Sequence, residues 1–421
     1  MNNALRAFYG IVVIAVLACR VSAGEAGFGA VSLGEIRSRE VPAAAPLEQP
    51  AVPVPAEKEW TVMAYMNTLN DLETFLVGKN HVNALEKVGS TDRVNVVAEL
   101  GRARGNVFDE KDNWTGVRRY YITNDAASDP NGFNINSTVL RHYDKADMGD
   151  WKHLLDFVMW AKKAYPAKKY MLIINSHGTG WKSNHETPHY SKGISYDFYS
   201  GNHVTTEQLG LIFEAAGKID VYVNDACLMM DAAVLYEIGR HADYVVGSEE
   251  TTSIALTNPD RLLAQLTAEP GADAEKAAGF AFNSLTPRLL NQYSVARMSG
   301  LEGLAPLVND FCSTAARSDE RKLFKAARKK TLSFADPEYK DMGQFLSLVK
   351  EGTKDEALRA SAGRLLDHLT GNLIARNVTS GKYGAAKGVS FYFPETYMDP
   401  AFNRLKFAQA IDWAACAGLG R

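Results

Sequence analysis

Cys227 and His177 are the two residues best placed for covalent chemistry, because each stands just past a stretch built like a buried strand. Ile219-Asp220-Val221-Tyr222-Val223 is β-branched and aromatic, and it stops at the polar pair Asn224-Asp225. Cys227 follows, ahead of an apolar run with helical spacing from Leu228 to about His241. That setting predicts a thiol at the carboxyl edge of an α/β sheet, where such folds place their ligands. It also aims the positive end of a helix dipole at the sulfur, which favours the nucleophilic thiolate. Lys168 to Ser176 repeats the design and delivers His177-Gly178-Thr179-Gly180-Trp181. The two residues are 50 positions apart, room for one helical crossover between parallel neighbours. The chemistry implied is a Cys–His dyad, with a thiolate nucleophile and an imidazole base. The backbone N–H groups of Gly178 and Cys227 are the matching oxyanion donors. Taken singly, Cys227 would read as a core thiol and His177 as a loop histidine; their shared placement at strand ends argues for catalysis.

The elements that must carry this pair alternate between strand and helix. Trp60–Met66, Val94–Leu100 and Val117–Ile122 read as strands, and Asp71–Val88 and Met148–Ala164 as helices, the second ending before Pro166. Ile194-Ser195-Tyr196-Asp197 reads as a short strand, and Thr205-Thr206-Glu207-Gln208 is a capping box opening a helix to about Ala216. Such alternation predicts a mainly parallel sheet covered by helices on both faces. Further on, helices are expected over Pro259–Leu266, Ala272–Ser284, Glu302–Ala316, Arg321–Arg328 and Ala357–Asn372. Strands are expected over Ser294–Met298, Ala375–Ser380 and Gly388–Tyr392, completing the sheet.

Asn175-Ser176-His177-Gly178-Thr179-Gly180-Trp181 and Asp225-Ala226-Cys227-Leu228-Met229, in this order, resemble the His and Cys motifs of the clostripain family. Trp60-Thr61-Val62-Met63-Ala64-Tyr65-Met66 with Asn70-Asp71-Leu72-Glu73, Asp341-Met342-Gly343-Gln344-Phe345-Leu346, and Gly388-Val389-Ser390-Phe391-Tyr392-Phe393-Pro394 resemble further family segments. The resemblance therefore spans residues 58 to 400 or so. It implies a caspase-like three-layer sandwich, as in gingipains, legumain and separase, and a cysteine endopeptidase. It implies that Asp225 lines the pocket for a basic side chain, a role suited to a carboxylate in a partly desolvated slot. Capping of the following helix is a second role open to Asp225. The resemblance also implies self-cleavage after a basic residue between the two motifs. Of Lys182, Lys192 and Lys218, the expected site is Lys192, at a loop end before Gly193. One stretch departs from the family. Relatives usually follow Ser248-Glu249-Glu250 with a Gly-Trp-x-Tyr-like segment, whereas this chain has Thr251-Thr252-Ser253-Ile254-Ala255-Leu256-Thr257-Asn258-Pro259. Glu249 and Glu250 are read either as deepening the same negative pocket or as solvated.

The remaining features bound compartment and partners. Ala7–Ala18 is too short to span a membrane and has the shape of a signal-peptide core. Val21-Ser22-Ala23 suits cleavage before Gly24, and Val16-Leu17-Ala18-Cys19 is a looser lipobox that would lipidate Cys19. Residues 24–58, with Pro42, Pro46, Pro50, Pro53 and Pro55, read as a linker or pro-segment. A catalytic core over 59–255 and a C-terminal region over 256–421 completing the same unit are expected. Once exported, the chain would keep Cys227, Cys312 and Cys416, an odd count that leaves a free thiol. A Cys312–Cys416 bridge and two core thiols are equal alternatives. Net charge is −3 with scattered basic residues, which argues against nucleic acid. No cofactor is required. His185, His189 and His203 sit in a Pro-containing loop region poorly suited to a metal, no EF-hand-type loop is visible, and calcium stimulation stays open. His368, on a helix face, reads as structural. The expected protein is an exported endopeptidase acting on peptides or proteins with Arg or Lys at the cleavage site, a monomer that becomes two-chain on processing. The alternatives are a binding or adhesion protein on an impaired peptidase scaffold, and an acyl or thiol transferase using the same dyad.

Overall fold

Continuous apolar runs and alternating ones sort into different places in a nine-stranded sheet. In chain order the strands are β1 (Lys58–Thr68), β2 (Val94–Arg102), β3 (Gly116–Tyr121), β4 (Thr138–Tyr143), β5 (Ala167–Asn175), β6 (Ile219–Asp225), β7 (Ala242–Gly247), β8 (Gln292–Arg297) and β10 (Ile374–Thr379). Their spatial order is β10-β8-β7-β6-β5-β1-β2-β3-β4. The strands β7, β6, β5, β1 and β2 are mutually parallel, and antiparallel pairs close both edges. In β2 and β6 every residue is buried, as expected of central parallel strands covered on both faces. A small separate sheet pairs β9 (Tyr339–Asp341) with β11 (Ser390–Tyr392). This computed structural model describes residues 56–103, 114–126, 134–182, 193–395 and 397–412, all within the unit Val54–Arg421.

Helices cover the sheet in two layers. The helices α1 (Val77–Glu86), α5 (Pro259–Ala268) and α6 (Ala274–Asn283) contribute Val82, Leu85, Leu262, Leu266 and Phe280 to one core, which also holds Trp60, Val62 and Ala64 of β1. The helices α2 (Trp151–Ala164), α3 (Thr206–Ala216) and α4 (Ala232–Ile238) pack Leu154, Phe157, Phe213 and Leu235 against Met63 and Tyr65 of β1. Alternate residues of one strand thus feed two cores, the period-2 consequence of a pleated backbone. The C-terminal helices α7 (Leu304–Arg317), α8 (Arg321–Lys330), α9 (Met342–Gly352), α10 (Glu356–His368) and α11 (Lys406–Ala410) extend the second layer. The result is the mainly parallel, helix-flanked sandwich that the alternation predicted.

Several local expectations change. The helix read over Leu228–His241 is regular only from Ala232 to Ile238, because Asp231 caps it by accepting the Ala233 N–H. The helix read over Asp71–Val88 splits at Leu76, which adopts a left-handed φ of 53° between a 3-10 turn and α1. Ile194 forms only isolated bridges, to Gly178 and Val204. The edge strand β4 escaped sequence reading because its residues are mostly exposed and show no clean alternation. Cys312 is disulfide-bonded. Cys227 is a free thiol, and Cys416, the bridge partner expected for Cys312, lies outside the described residues. No helix among the described residues is long and apolar enough to cross a membrane.

Candidate active site

Register brings the two motifs together. β5 and β6 pair in parallel from Met171↔Val221 to Asn175↔Asp225. His177 and Cys227 therefore each stand two residues beyond the last rung. The loops touch through glycine: a Cβ at Gly178 would lie 2.6 Å from the carbonyl oxygen of Cys227 and 3.1 Å from Met229 Cγ. Only a hydrogen at that position lets the histidine loop lie on the cysteine loop. Gly180, at φ +67°, repeats the approach, since a Cβ there would lie 2.9 Å from the Leu228 carbonyl oxygen. Tyr339 holds this segment from above by donating to the Thr179 carbonyl and accepting from the Lys182 N–H, both at 2.9 Å.

The cysteine end differs from expectation. Cys227 is partly buried and accepts a hydrogen bond from the Thr252 N–H at 3.3 Å. Burial pushes its thiol pKa up, the Thr252 amide and hydroxyl work against that, and the nearby Glu250 and Asp225 carboxylates add to the rise. No helix dipole opposes them at the sulfur, because α4 starts at Ala232 and Leu228 instead turns the chain with a φ of 61°. The expected helix dipole at the sulfur is thus absent, because the helix begins at Ala232 and not at Leu228, and burial leaves the thiol form favoured. Hydrogen bonds flank the oxyanion candidates without using them. Thr179 N–H donates to Gly193 and Leu228 N–H to Glu250, while the N–H groups of Gly178 and Cys227 have no acceptor among the described residues.

His177 brings a partner that sequence reading left unassigned. Its Nε2 lies 2.7 Å from Asp71 Oδ1, and its ring stacks on Phe198 with centroids 6.3 Å apart and planes 5° from parallel. Asp71 opens the 3-10 turn after β1, which Asn70 caps. Since β1 is the other parallel neighbour of β5, its tip meets the histidine. The signal was the Asn70-Asp71 pair at a strand end, the same pattern that marked Asn224-Asp225.

Asp225 points to the opposite face of the sheet from the helix it might have capped. Asn175 Nδ2 donates to its Oδ2 at 2.7 Å, Thr257 Oγ1 donates to the same oxygen at 2.8 Å, and His81 Nδ1 stands 3.5 Å from it. Its Oδ1 has no partner among the described residues. With Thr257, Ile173, Val223, Leu262 and Tyr293 it lines a cavity between the sheet and α5–α6. Glu249 and Glu250 neither deepen that cavity nor meet solvent, being 0% and 3% exposed. Glu250 accepts from Thr251, Ala335 and Tyr383, and Glu249 accepts from the Gly388 N–H. Both acids tie the sheet edge to the C-terminal half.

The remaining candidates are dispersed. Lys192, His185 and His189 lie outside the described residues. Gly193, next to Lys192, is packed at φ +122°, where a Cβ would lie 1.9 Å from the Val204 carbonyl oxygen. Lys182 pairs with Asp336 and Glu338, and Lys218 with Asp243 and Asp220. His203 stacks on Tyr196. His368 Nε2 contacts the Gly300 carbonyl at 2.7 Å, as befits a structural histidine. No group of three metal-ligating side chains occurs among the described residues.

Comparison with known proteins bears on the fold and the family. Clostripain from Hathewaya histolytica is 29% identical over 216 residues, a match covering 45% of this chain and 38% of clostripain. The chain thus spans well under half the length of that curated relative. A secreted C11 cysteine protease from Bacteroides thetaiotaomicron bound to an irreversible peptide inhibitor superposes with a TM-score of 0.58 at 17% identity, covering 85% of this chain and 99% of that one. An inactive zymogen C11 protease from Parabacteroides distasonis gives 0.60 at 18% identity with the same coverage. At these identities the structures speak for the fold. The profile of the clostripain family matches residues 64–384, and the chain belongs to that family of cysteine peptidases.

Proposed function

We propose that the protein is an exported cysteine endopeptidase that hydrolyses peptide bonds after Lys or Arg. The observation that carries this reading is the contact between the two loops: Gly178 lies against the Cys227 carbonyl so closely that no side chain fits. That contact sets His177 and Cys227 on the same edge at matching positions. Asp71 holds Nε2 of His177, so proton exchange with the thiol falls to Nδ1. The Cys227 sulfur attacks the scissile carbonyl as its proton passes to the imidazole, forming a C–S bond. The Gly178 and Cys227 N–H groups receive the oxyanion. The imidazolium then protonates the leaving amine, and water hydrolyses the thioester with the imidazole again as base. The raised thiol pKa is consistent with this order, in which the thiolate is generated against the imidazole as substrate enters.

Asp225 supplies specificity. One oxygen is anchored and the other has no partner among the described residues, at a cavity with largely apolar walls. Apolar walls suit the stem of a Lys or Arg side chain and a carboxylate suits its head. Self-processing after Lys192 is part of the proposal. The two other lysines between the motifs are engaged in ion pairs, and one structural relative is described as a zymogen. The test is hydrolysis of Lys- and Arg-ended fluorogenic peptides by the full chain, with Cys227→Ala as control. Turnover by the wild type alone, with a second fragment starting at Gly193, supports the proposal. Equal turnover by both proteins refutes it.

A further inference from the structure

The pocket acid already has a basic neighbour of its own. His81 belongs to α1, on the cavity side of the sheet, and is only 6% exposed. Its Nδ1 has no hydrogen-bond partner among the described residues and stands 3.5 Å from Asp225 Oδ2. An imidazole so buried becomes a cation at the expense of the nearest carboxylate, and that is Asp225. A basic substrate side chain needs the same carboxylate from the Oδ1 side. We infer that His81 is a specificity-determining residue: neutral, it leaves the Asp225 charge to a Lys or Arg side chain; protonated, it claims that charge and weakens such substrates selectively.

The surroundings favour this competition. Burial holds the His81 pKa below its ordinary value, against the pull of Asp225 and of Asp260 on α5, so the pocket stays negative at neutral pH. Other charged groups nearby are occupied among themselves. Lys79 on the same helix acts on Glu73 of the preceding 3-10 turn, and Glu73 is bonded to Arg102 of β2 at 2.8 Å. β1 contributes only uncharged Asn67 and Thr68 at its end, and β6 contributes Asp225 itself. The proton therefore has one pair of carboxylates to answer to, and the nearer is the substrate contact. The residue acts through Asp225 and touches no reacting atom, so it is a positioning and charge-setting residue and not a catalytic one.

The inference rests on Asp225 as the contact for a basic residue before the scissile bond. The test compares kcat/KM for paired peptides with Arg or a neutral residue at that position, using the full chain between about pH 7.5 and about pH 5. Taking the ratio of the two substrates cancels titration of the Cys227–His177 pair, which both share. The expected result is a fall of the Arg preference by about tenfold on acidification, carried mainly by KM, as an ion pair is removed. In His81→Gln, which keeps a neutral donor and cannot take the proton, the preference should stay flat with pH. If that variant fails to fold, Asp260→Asn serves instead: it weakens the proton's hold on His81 and should shift the fall to lower pH. A preference that falls equally in wild type and His81→Gln, or in neither, overturns the inference. Cleavage only after neutral residues would instead sink the reading of Asp225, and the inference with it.

Discussion

Acidic residues end two adjacent strands and meet opposite fates. Asp225 closes β6, and Glu249 and Glu250 follow β7 one strand away. From the sequence Glu249 and Glu250 could either join Asp225 in one negative pocket or lie in solvent. Asp225 keeps an oxygen clear at a cavity, with its other oxygen fixed by Asn175 and Thr257. Glu250 accepts from Tyr383, Ala335 and Thr251, and one oxygen of Glu249 accepts from Gly388, so three of the four donors tie the edge to the C-terminal half. Glu249 is also pushed well above the ordinary carboxylate range, by burial first and then by the charge of the neighbouring Asp341. Charge at a sheet edge does not by itself make a binding site. What decides is whether the fold leaves the carboxylate a lone pair and a way out, or closes it inside with donors.

Substitutions can break this contrast. The largest effect belongs to Asp225→Asn, which should lower kcat/KM for Lys and Arg substrates by about a hundredfold or more, the scale of losing one partner of a desolvated charge pair. Its melting temperature should move little, and a neutral-residue substrate should be nearly unaffected. A similar selective loss from Glu250→Gln would show that the two tips had been assigned the wrong way round. Glu250→Ala should act on stability instead, by about 2–4 kcal/mol, because buried donors lose their acceptor. Denaturant titration would show it, and activity on basic and neutral substrates should fall together, since Thr252 and its bond to Cys227 hang on that turn.

A third acid sharpens the comparison. Asp71 opens the turn after β1 and, of the proposed catalytic pair, meets only His177. Asp71→Asn should lower kcat by about tenfold, a modest orientation effect, with KM unchanged and the Arg-to-neutral preference intact. A change in that preference would place Asp71 in the pocket as well. The smallest effect is a pH slope. Because the folded pKa of Glu249 lies above its unfolded value, folding takes up a proton, and that contribution is lost as pH rises from the usual carboxylate range toward the folded value. Glu249→Gln should flatten the fall and raise the melting temperature at about pH 8 by roughly 2–4 °C. Thermal melts across pH would check it, and a steeper slope in the variant would count against the raised Glu249 value.

Much of the catalytic edge was legible because it is written in short stretches. The runs Lys168–Ser176 and Ile219–Val223 are apolar for most of their length, which forces central parallel strands. Polar residues directly after them must then lie at the edge. His177, Cys227 and the glycines between motif and loop were found that way. Asp71 was visible as a strand-end acid, but nothing local says that β1 would neighbour β5 and bring it to the imidazole. The apolar run after Cys227 was misjudged for a related reason. Leu228-Met229-Met230 is hydrophobic because it packs into the core, while Asp231 starts the helix later.

The sequence alone therefore determined most of the central strands and long helices, and which reactive side chains stand at their ends, because those follow from periodicity and capping over a few residues. Only the tertiary structure decided what each edge carboxylate faces. Asp225 and His81, Glu250 and Tyr383, and Asp71 and His177 are far apart in the chain, and each is paired by strand order and helix placement. Burial then sets their charge, and burial is a property of the whole packed layer that no local stretch contains.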